Sequence, residues 1–287
     1  MDTDSRHSRR TAFVALSLLI ALVTVGGVLV WVQNEEEERA QQLALDAFLY
    51  DEYRLLPVRF HLLESKQQEP LNCQLTAEDV DRILAKVNLI WQQASINFYL
   101  ESVVQEPAAN QYVIGGFQRG VPLQLYPLIR PRQSMAHNMF HLYCIHEFQP
   151  NGATIGGLDV IFFKDTASLI PVEGGMDEPL PRVLSHQLGY ALSLRNVDDT
   201  GYLMANGTTG TLLSEREVFN ARRAVESIEW HMTPTKISEV ADSHLEKGAM
   251  QEARHLYETL MTVPGRSPLK EAAQARMQEI GESSDQP

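Results

Sequence analysis

The sequence predicts an α/β (α+β) protein: a twisted mixed sheet with two long helices, preceded by one transmembrane helix and followed by a small helical C-terminal segment. Residues 11–33 (TAFVALSLLIALVTVGGVLVWVQ) carry no charge and are long enough to cross a hydrocarbon layer as one helix. Residues 57–100 run strand, helix, strand, an order that favours a crossover within one sheet. From residue 178 onward, apolar side chains return at helical spacing.

Arg6, Arg9 and Arg10 stand before the apolar run, and Glu35 to Glu38 follow it. The positive-inside bias then puts residues 1–10 in the cytoplasm and, past an anchor at 11–33, the rest outside, in a periplasm or at a cell surface. A cleavable signal peptide would have a shorter apolar core ending in a small-x-small site, so an uncleaved anchor is expected, with the membrane as one partner. Residues 34–56 suit a charged helical stalk. The net charge of −13 fits an acidic, soluble outer domain and excludes a nucleic-acid surface.

The main domain is expected over 57–232. PVRFHLL (57–63) alternates apolar positions as a strand does. Thr76 and Asp79 form a helix start, and Val80, Ile83, Leu84, Val87, Ile90, Trp91 and Ala94 continue one amphipathic face. Ile96 to Leu100 resumes as strand. Between 105 and 137, Pro107, Gly115, Gly116, Gly120, Pro122, Pro127 and Pro131 interrupt any long element. Residues 139–148 and 158–164 read as two strands joined by the turn-forming QPNGATIGG. A long helix follows over 178–195, and another from Ser214 to about Glu229, with Ser214 and Glu217 in capping-box positions.

Past Pro234, the residues Ala241, Gly248, Ala253, Tyr257, Leu260 and Pro264 have the spacing of a single tetratricopeptide-like hairpin, and a last helix runs from Pro268 to about Ile280. One such unit over 233–287 cannot build a solenoid, so a plain helical appendage is the competing reading. Cys73 and Cys144 are the only cysteines. Outside the cytoplasm they can pair, closing a long loop; two buried free thiols are the alternative, since sequence does not supply their distance.

The chemistry-bearing stretch is HQLGYALSLRN (186–196), followed by YLMA with Met204. With its surroundings LPRVLSHQLGYALSL and YLMANGTTGTLLSEREVFNARRA, it resembles the active-site helix, methionine turn and following helix of bacterial matrixin-like metzincins, over roughly residues 57–229. That resemblance implies a zincin-like fold. In the family pattern HExxHxxGxxH, histidines one helical turn apart share a face and a zinc ion, and the glutamate activates the metal-bound water. The glycine ends the helix so that a third ligand returns, and a methionine turn lies beneath the metal.

Carried onto this chain, the resemblance places His186 at the first ligand, Gln187 at the general base, Tyr190 at the second ligand, Ser193 at the glycine, Asn196 at the third ligand and Met204 in the turn. Gln187 cannot act as a general base near neutral pH. Tyr190 would ligate only as a phenolate, against a reference pKa of about 10, and Asn196 offers a weak carbonyl. No catalytic residue and no cofactor are therefore expected. Zinc enters only on an alternative in which His186 works with Asp198 or Asp199; His137, His141 and His146 are further donors upstream. The expected function is a membrane-anchored, extracytoplasmic pseudoprotease that binds or regulates a protein or peptide partner. Two alternatives stand beside it: an active zinc metalloendopeptidase with an unusual ligand set, and a structural envelope protein acting through its C-terminal helices.

Overall fold

A computed structural model describes residues 49–115, 122–147, 149–156 and 159–284. Tyr50–Pro264 and the chain from Pro268 onward form one compact unit, to which everything below refers; Leu49 and Gly265–Ser267 fall outside it. Its strands are β1 (Arg54–Glu64), β2 (Ile96–Pro107), β3 (Phe140–Ile145), β4 (Gly152–Ile155) and β5 (Val160–Lys164). Its helices longer than one turn are α1 (Ala77–Trp91), α2 (Pro179–Ala191), α3 (Glu215–Glu226), α4 (Pro234–Glu246), α5 (Met250–Thr262) and α6 (Pro268–Ser284), with a 3-10 segment over Leu123–Ile129.

The strands form one mixed sheet in the order β2-β1-β3-β5-β4. β1 lies parallel to β2 and β3, β3 is parallel to β5, and only β4 runs antiparallel, at the edge beside β5. Side chains alternate between faces along each strand, and the sequence fills both. Leu56, Val58, Phe60, Phe140, Leu142, Ile161 and Phe163 pack with the apolar stripes of α1 and α2. The opposite face, with Leu63, Tyr143, Ile145, Val160 and Phe162, is covered by Tyr126 and Ile129 of the 3-10 segment and by Leu71, Ala108 and Val113.

Helix starts fall where their caps require. Thr76 and Asp79 bond each other's backbone at the head of α1, and Ser214 and Glu217 do the same at α3, satisfying amides that have no partner within the helix. β4 differs from expectation: it lies inside QPNGATIGG, whose glycines and Pro150 read as turn because only four residues of it are extended. β2 also runs further than the expected Ile96–Leu100, because parallel pairing with β1 continues out to Pro107.

The C-terminal helices pack onto the sheet through a second core. Tyr50, Leu55 and Tyr99 meet Ile237 and Ala241 of α4, Ala253, Tyr257 and Leu260 of α5, and Ala273 and Ile280 of α6. Tyr50 donates its hydroxyl to Leu260 O at 2.7 Å, and Leu55 exchanges backbone hydrogen bonds with Met232. Gly248, at φ +76° after α4, takes the left-handed conformation that lets the chain reverse into α5.

One expectation is corrected. The anchor at 11–33 and most of the stalk at 34–56 lie outside the described residues, while residues 54–56 belong to β1. Among the described residues no helix is long and apolar enough to cross a membrane; the longest, α6, has 17 residues and carries charges along its length. Among the described residues the fold class is thus a mixed α/β domain with no spanning helix, and the single-pass, extracytoplasmic placement is not supported.

Candidate functional site

The site is built on α2, which enters between the sheet and the loop 200–212. Pro at the first turn suits a position where no amide hydrogen bond is needed. Arg82 and Lys86 of α1 pair with Glu178, and Lys86 also pairs with Asp177, tying α1 to the residues just ahead of α2. Every residue from Leu180 to Gly189 is buried, so this helix is enclosed on more than the one stripe an amphipathic helix usually hides.

α2 ends as the glycine slot of the resembled pattern demands, but with serine. Leu194 N–H donates to Gly189 O at 2.8 Å and Ser193 N–H to Tyr190 O at 3.0 Å, the paired bonds of a Schellman motif. Ser193 sits at φ +65°, a left-handed angle that disfavours a side chain, so the turn survives at some cost in strain. Beneath the helix, Met204 is fully buried and presses on Gly189, where a Cβ would lie 2.5 Å from Met204 Sδ. A glycine is needed there for the close approach.

Arg182 fastens the loop to the helix. It is 2% exposed, donates Nε to Gly210 O at 3.0 Å and donates Nη2 to Ala205 O. Burial pulls its pKa down to about 10, slightly opposed by Tyr190. The loop closes on itself through Val197 N–H to Met204 O at 3.2 Å and Leu203 N–H to Leu212 O at 2.8 Å.

Inside this frame the slots are occupied by one another. His186, 5% exposed, donates Nδ1–H to Leu203 O at 2.9 Å and meets the Tyr190 ring edge-on at 4.8 Å. Burial holds its pKa down to about 4; the Leu203 hydrogen bond opposes that and the Arg182 charge adds to it. The imidazole is therefore neutral at ordinary pH. Gln187 accepts from Thr154 Oγ1 on β4, through its side-chain oxygen at 3.0 Å and its backbone oxygen at 2.8 Å. Tyr190 donates its hydroxyl to Asn196 Oδ1.

The donor set does not fit a zinc ion. One neutral imidazole remains, while the phenol and the amide oxygen of the other two slots are bonded to each other, and a closed or catalytic zinc site needs at least three good donors. Asp198 and Asp199 are exposed in the turn, and Asp199 accepts from Gly201 N–H at 3.1 Å. Among the described residues, no group of three His, Cys, Asp or Glu side chains that includes His186 converges to metal-binding distance. The group that does converge, Cys73, Cys144 and Asp165, has its sulfurs joined in a disulfide, with Cα atoms 5.7 Å apart, and so offers no thiolate.

His141 lies on the sheet face opposite α2, in contact with His61, and His146 pairs with Asp165 at 2.9 Å. Neither joins His186. The structure adds two polar residues that sequence reasoning missed, buried His61 and half-buried Glu106, and joins them to His141. Their one signal is alternation, since Arg59, His61 and His141 occupy polar positions between apolar residues in their strands.

No family model matches the chain, and no curated protein does. Among solved structures it is similar to archaemetzincin from Methanopyrus kandleri, at 10% identity over 60% of this chain and 96% of that one, with a TM-score of 0.42. It is also similar to metalloproteinase-II from Bacteroides fragilis, at 11% identity over 62% of this chain and 55% of that one, with a TM-score of 0.38. A chain in the structure of a chaperone–substrate complex matches at 12% identity over 61% of this chain and 35% of that one, with a TM-score of 0.36. This chain thus spans about half of the Bacteroides enzyme and about a third of the chain in the chaperone complex. The mixed five-stranded sheet with one antiparallel edge strand fits a zincin-like, metallopeptidase-type fold. None of these matches confirms the altered matrixin-like motif.

Proposed function

We propose that the domain is a metzincin-like frame from which the metal chemistry has gone, and that it serves as a non-catalytic module holding an extended peptide along β4. The observation that carries this reading is the hydrogen bond from Tyr190 to Asn196: the two slots that hold metal ligands in the resembled family hold each other here. Gln187, at the slot of the general base, is committed to Thr154 on the edge strand and is neutral. β4 pairs with β5 on one side, and among the described residues no strand covers its other side. An edge of that kind adds a peptide strand through main-chain hydrogen bonds, with affinity but no cleavage.

The test takes the full chain, purified without added metal or chelator. Elemental mass spectrometry is expected to find close to no zinc per folded chain, and an unfolded protein substrate is expected to stay intact. Peptides selected from a displayed random library should slow amide exchange at 152–155. About one zinc per chain with chelator-sensitive cleavage would overturn the reading in favour of an active enzyme. Selected peptides that protect only α4–α6 would instead place binding on the C-terminal helices.

A further inference from the structure

The sheet face away from α2 holds a polar chain that the cleft does not use. Glu106 Oε1 lies 2.7 Å from His61 Nδ1, His61 Nε2 lies 2.8 Å from His141 Nδ1, and His141 Nε2 lies 3.1 Å from Ala136 O. The two rings are 0% and 4% exposed, so an unmade bond among them is expensive.

Three hydrogen bonds in series need three protons, and two neutral imidazoles bring two. A carbonyl only accepts, so His141 Nε2 must donate to Ala136 O. His141 Nδ1 then accepts from His61 Nε2, which leaves His61 Nδ1 as a lone pair facing Glu106. A carboxylate there would oppose that lone pair; a protonated Glu106 donates to it. Placing the third proton on His61 instead would set an imidazolium in a buried site near Arg59 and Arg130. Burial, then His141 and those two arginines, holds His61 down to about pKa 3. Burial raises the Glu106 carboxyl, against opposing contributions from Ser134 and Arg59.

The outer end of the chain is the strap 131–139. Its Ser134 donates Oγ–H to Glu106 Oε1 at 2.6 Å and accepts Arg59 Nη1 at its backbone oxygen, also at 2.6 Å. Together with Leu128, Arg130 and Asp159, the strap walls a cavity of about 970 Å³. We propose that Glu106, His61 and His141 form a one-proton latch that holds the Ala136 part of this strap to the sheet, so that the cavity opens on that side when the proton leaves while Ser134 stays bound. Without that proton one of the three bonds must fail. The outermost is the one that fails: a Glu106 carboxylate draws the Nδ1–H of His61, His141 Nδ1–H then turns to His61 Nε2, and His141 Nε2 is left without a hydrogen for Ala136 O, which can turn toward water.

The other charged or titratable groups facing the latch come from each element around it. Arg59 of β1 is paired with Glu101 of β2, Tyr143 of β3 stacks on His61 at 4.1 Å, and Arg130 leaves the end of the 3-10 segment. Asp159 precedes β5, and its backbone oxygen accepts His141 N–H. Arginine and tyrosine keep their protons across about pH 5 to 8, and an ion-paired glutamate stays ionised there. Asp159, whose carboxyl burial raises, is one competitor, and His137 of the strap itself, which lines the same cavity, is the other.

Hydrogen exchange on the full chain, corrected for intrinsic rates, tests the latch between about pH 5 and about pH 8. In the wild type, protection of the amides of 136–139 should fall at least about tenfold as pH rises. Glu106→Gln supplies the third hydrogen from an amide that does not titrate, so protection should persist at every pH. Asp159→Asn and His137→Asn should each leave the wild-type dependence in place. A flat wild-type profile would overturn the latch, as would an unchanged dependence in Glu106→Gln or its loss in Asp159→Asn or His137→Asn. Should Glu106→Gln fail to fold, the wild-type, Asp159→Asn and His137→Asn profiles still decide.

Discussion

His186 serves a structural task in this fold. On the proposed reading it stands at the slot of a first metal ligand, and it donates Nδ1–H to Leu203 O, an outer bond of the kind that orients a metal-bound histidine. Its neighbours across the slot, however, are a phenol and an amide bonded to each other. What remains is a buried neutral imidazole that ties α2 to the loop beneath it. Burial lowers its folded pKa to about 4, so on acidification the unfolded chain takes up the proton first, near the ordinary value of about 6.5. Its contribution is thus complete above about pH 6.5 and is lost as pH falls toward about 4, the loss amounting to about 3 kcal/mol. Replacing His186 with Gln, which can still donate to Leu203 O, should flatten that part of the stability profile. Urea unfolding of both proteins at about pH 7 and about pH 4.5 would show it; equal losses in the two would remove the histidine from the account.

At the scale of elements, α2 and the loop 200–212 behave as one piece, because the loop has little regular structure and is held by Arg182 and by close backbone contact. Gly210 marks that contact: a Cβ there would collide with the backbone of Thr200 and Gly201, and no side-chain rotation relieves a backbone clash. Gly210→Ala should therefore destabilise the domain by about 3 kcal/mol or more, read from thermal and urea unfolding, whereas Gly207→Ala meets no neighbouring atom and carries only the strain of its positive φ. Similar losses for the two would mean that the loop yields. This element also marks how far the sequence could be read. α1 and α3 were legible from capping boxes and helical period, and the burial of Met204 beneath α2 agrees with the turn expected there, while the metal-ligand slots assigned by resemblance rest on the proposal above. β4 was not legible, since its four residues sit among turn formers and are extended only because β5 pairs with them. Nor was the chain of Glu106, His61 and His141, whose members are brought together by strand register alone. The spacing also could not say that Tyr190 and Asn196 bond to each other, which is a matter of side-chain direction across a turn.

For the whole molecule, the region least regular in sequence is the region most constrained by covalent chemistry. The Cys73–Cys144 bond spans a sequence separation of 71 residues, enclosing α1, β2 and the Pro- and Gly-interrupted stretch 105–137. It fastens the segment ahead of α1 to the central strand β3, where Cys144 is fully buried within the main core. The strap and the 3-10 segment lie inside this loop, so the cover of one sheet face is closed off by a bond made on the other. A cross-link of this span removes much of the freedom of the unfolded chain, about 4 kcal/mol in the chain-entropy account. Replacing both cysteines with alanine should lower unfolding stability by roughly that amount. It should also steepen the denaturant dependence, because the unfolded chain can then expand further. The native contacts that remain argue against collapse of the sheet, since β3 is bonded on both sides by β1 and β5. Urea titration of the oxidised protein and of the double variant decides the matter. A drop near 4 kcal/mol with a steeper slope supports action through the unfolded state, whereas a drop under about 1 kcal/mol with no change of slope would mean that the loop is already compact when unfolded.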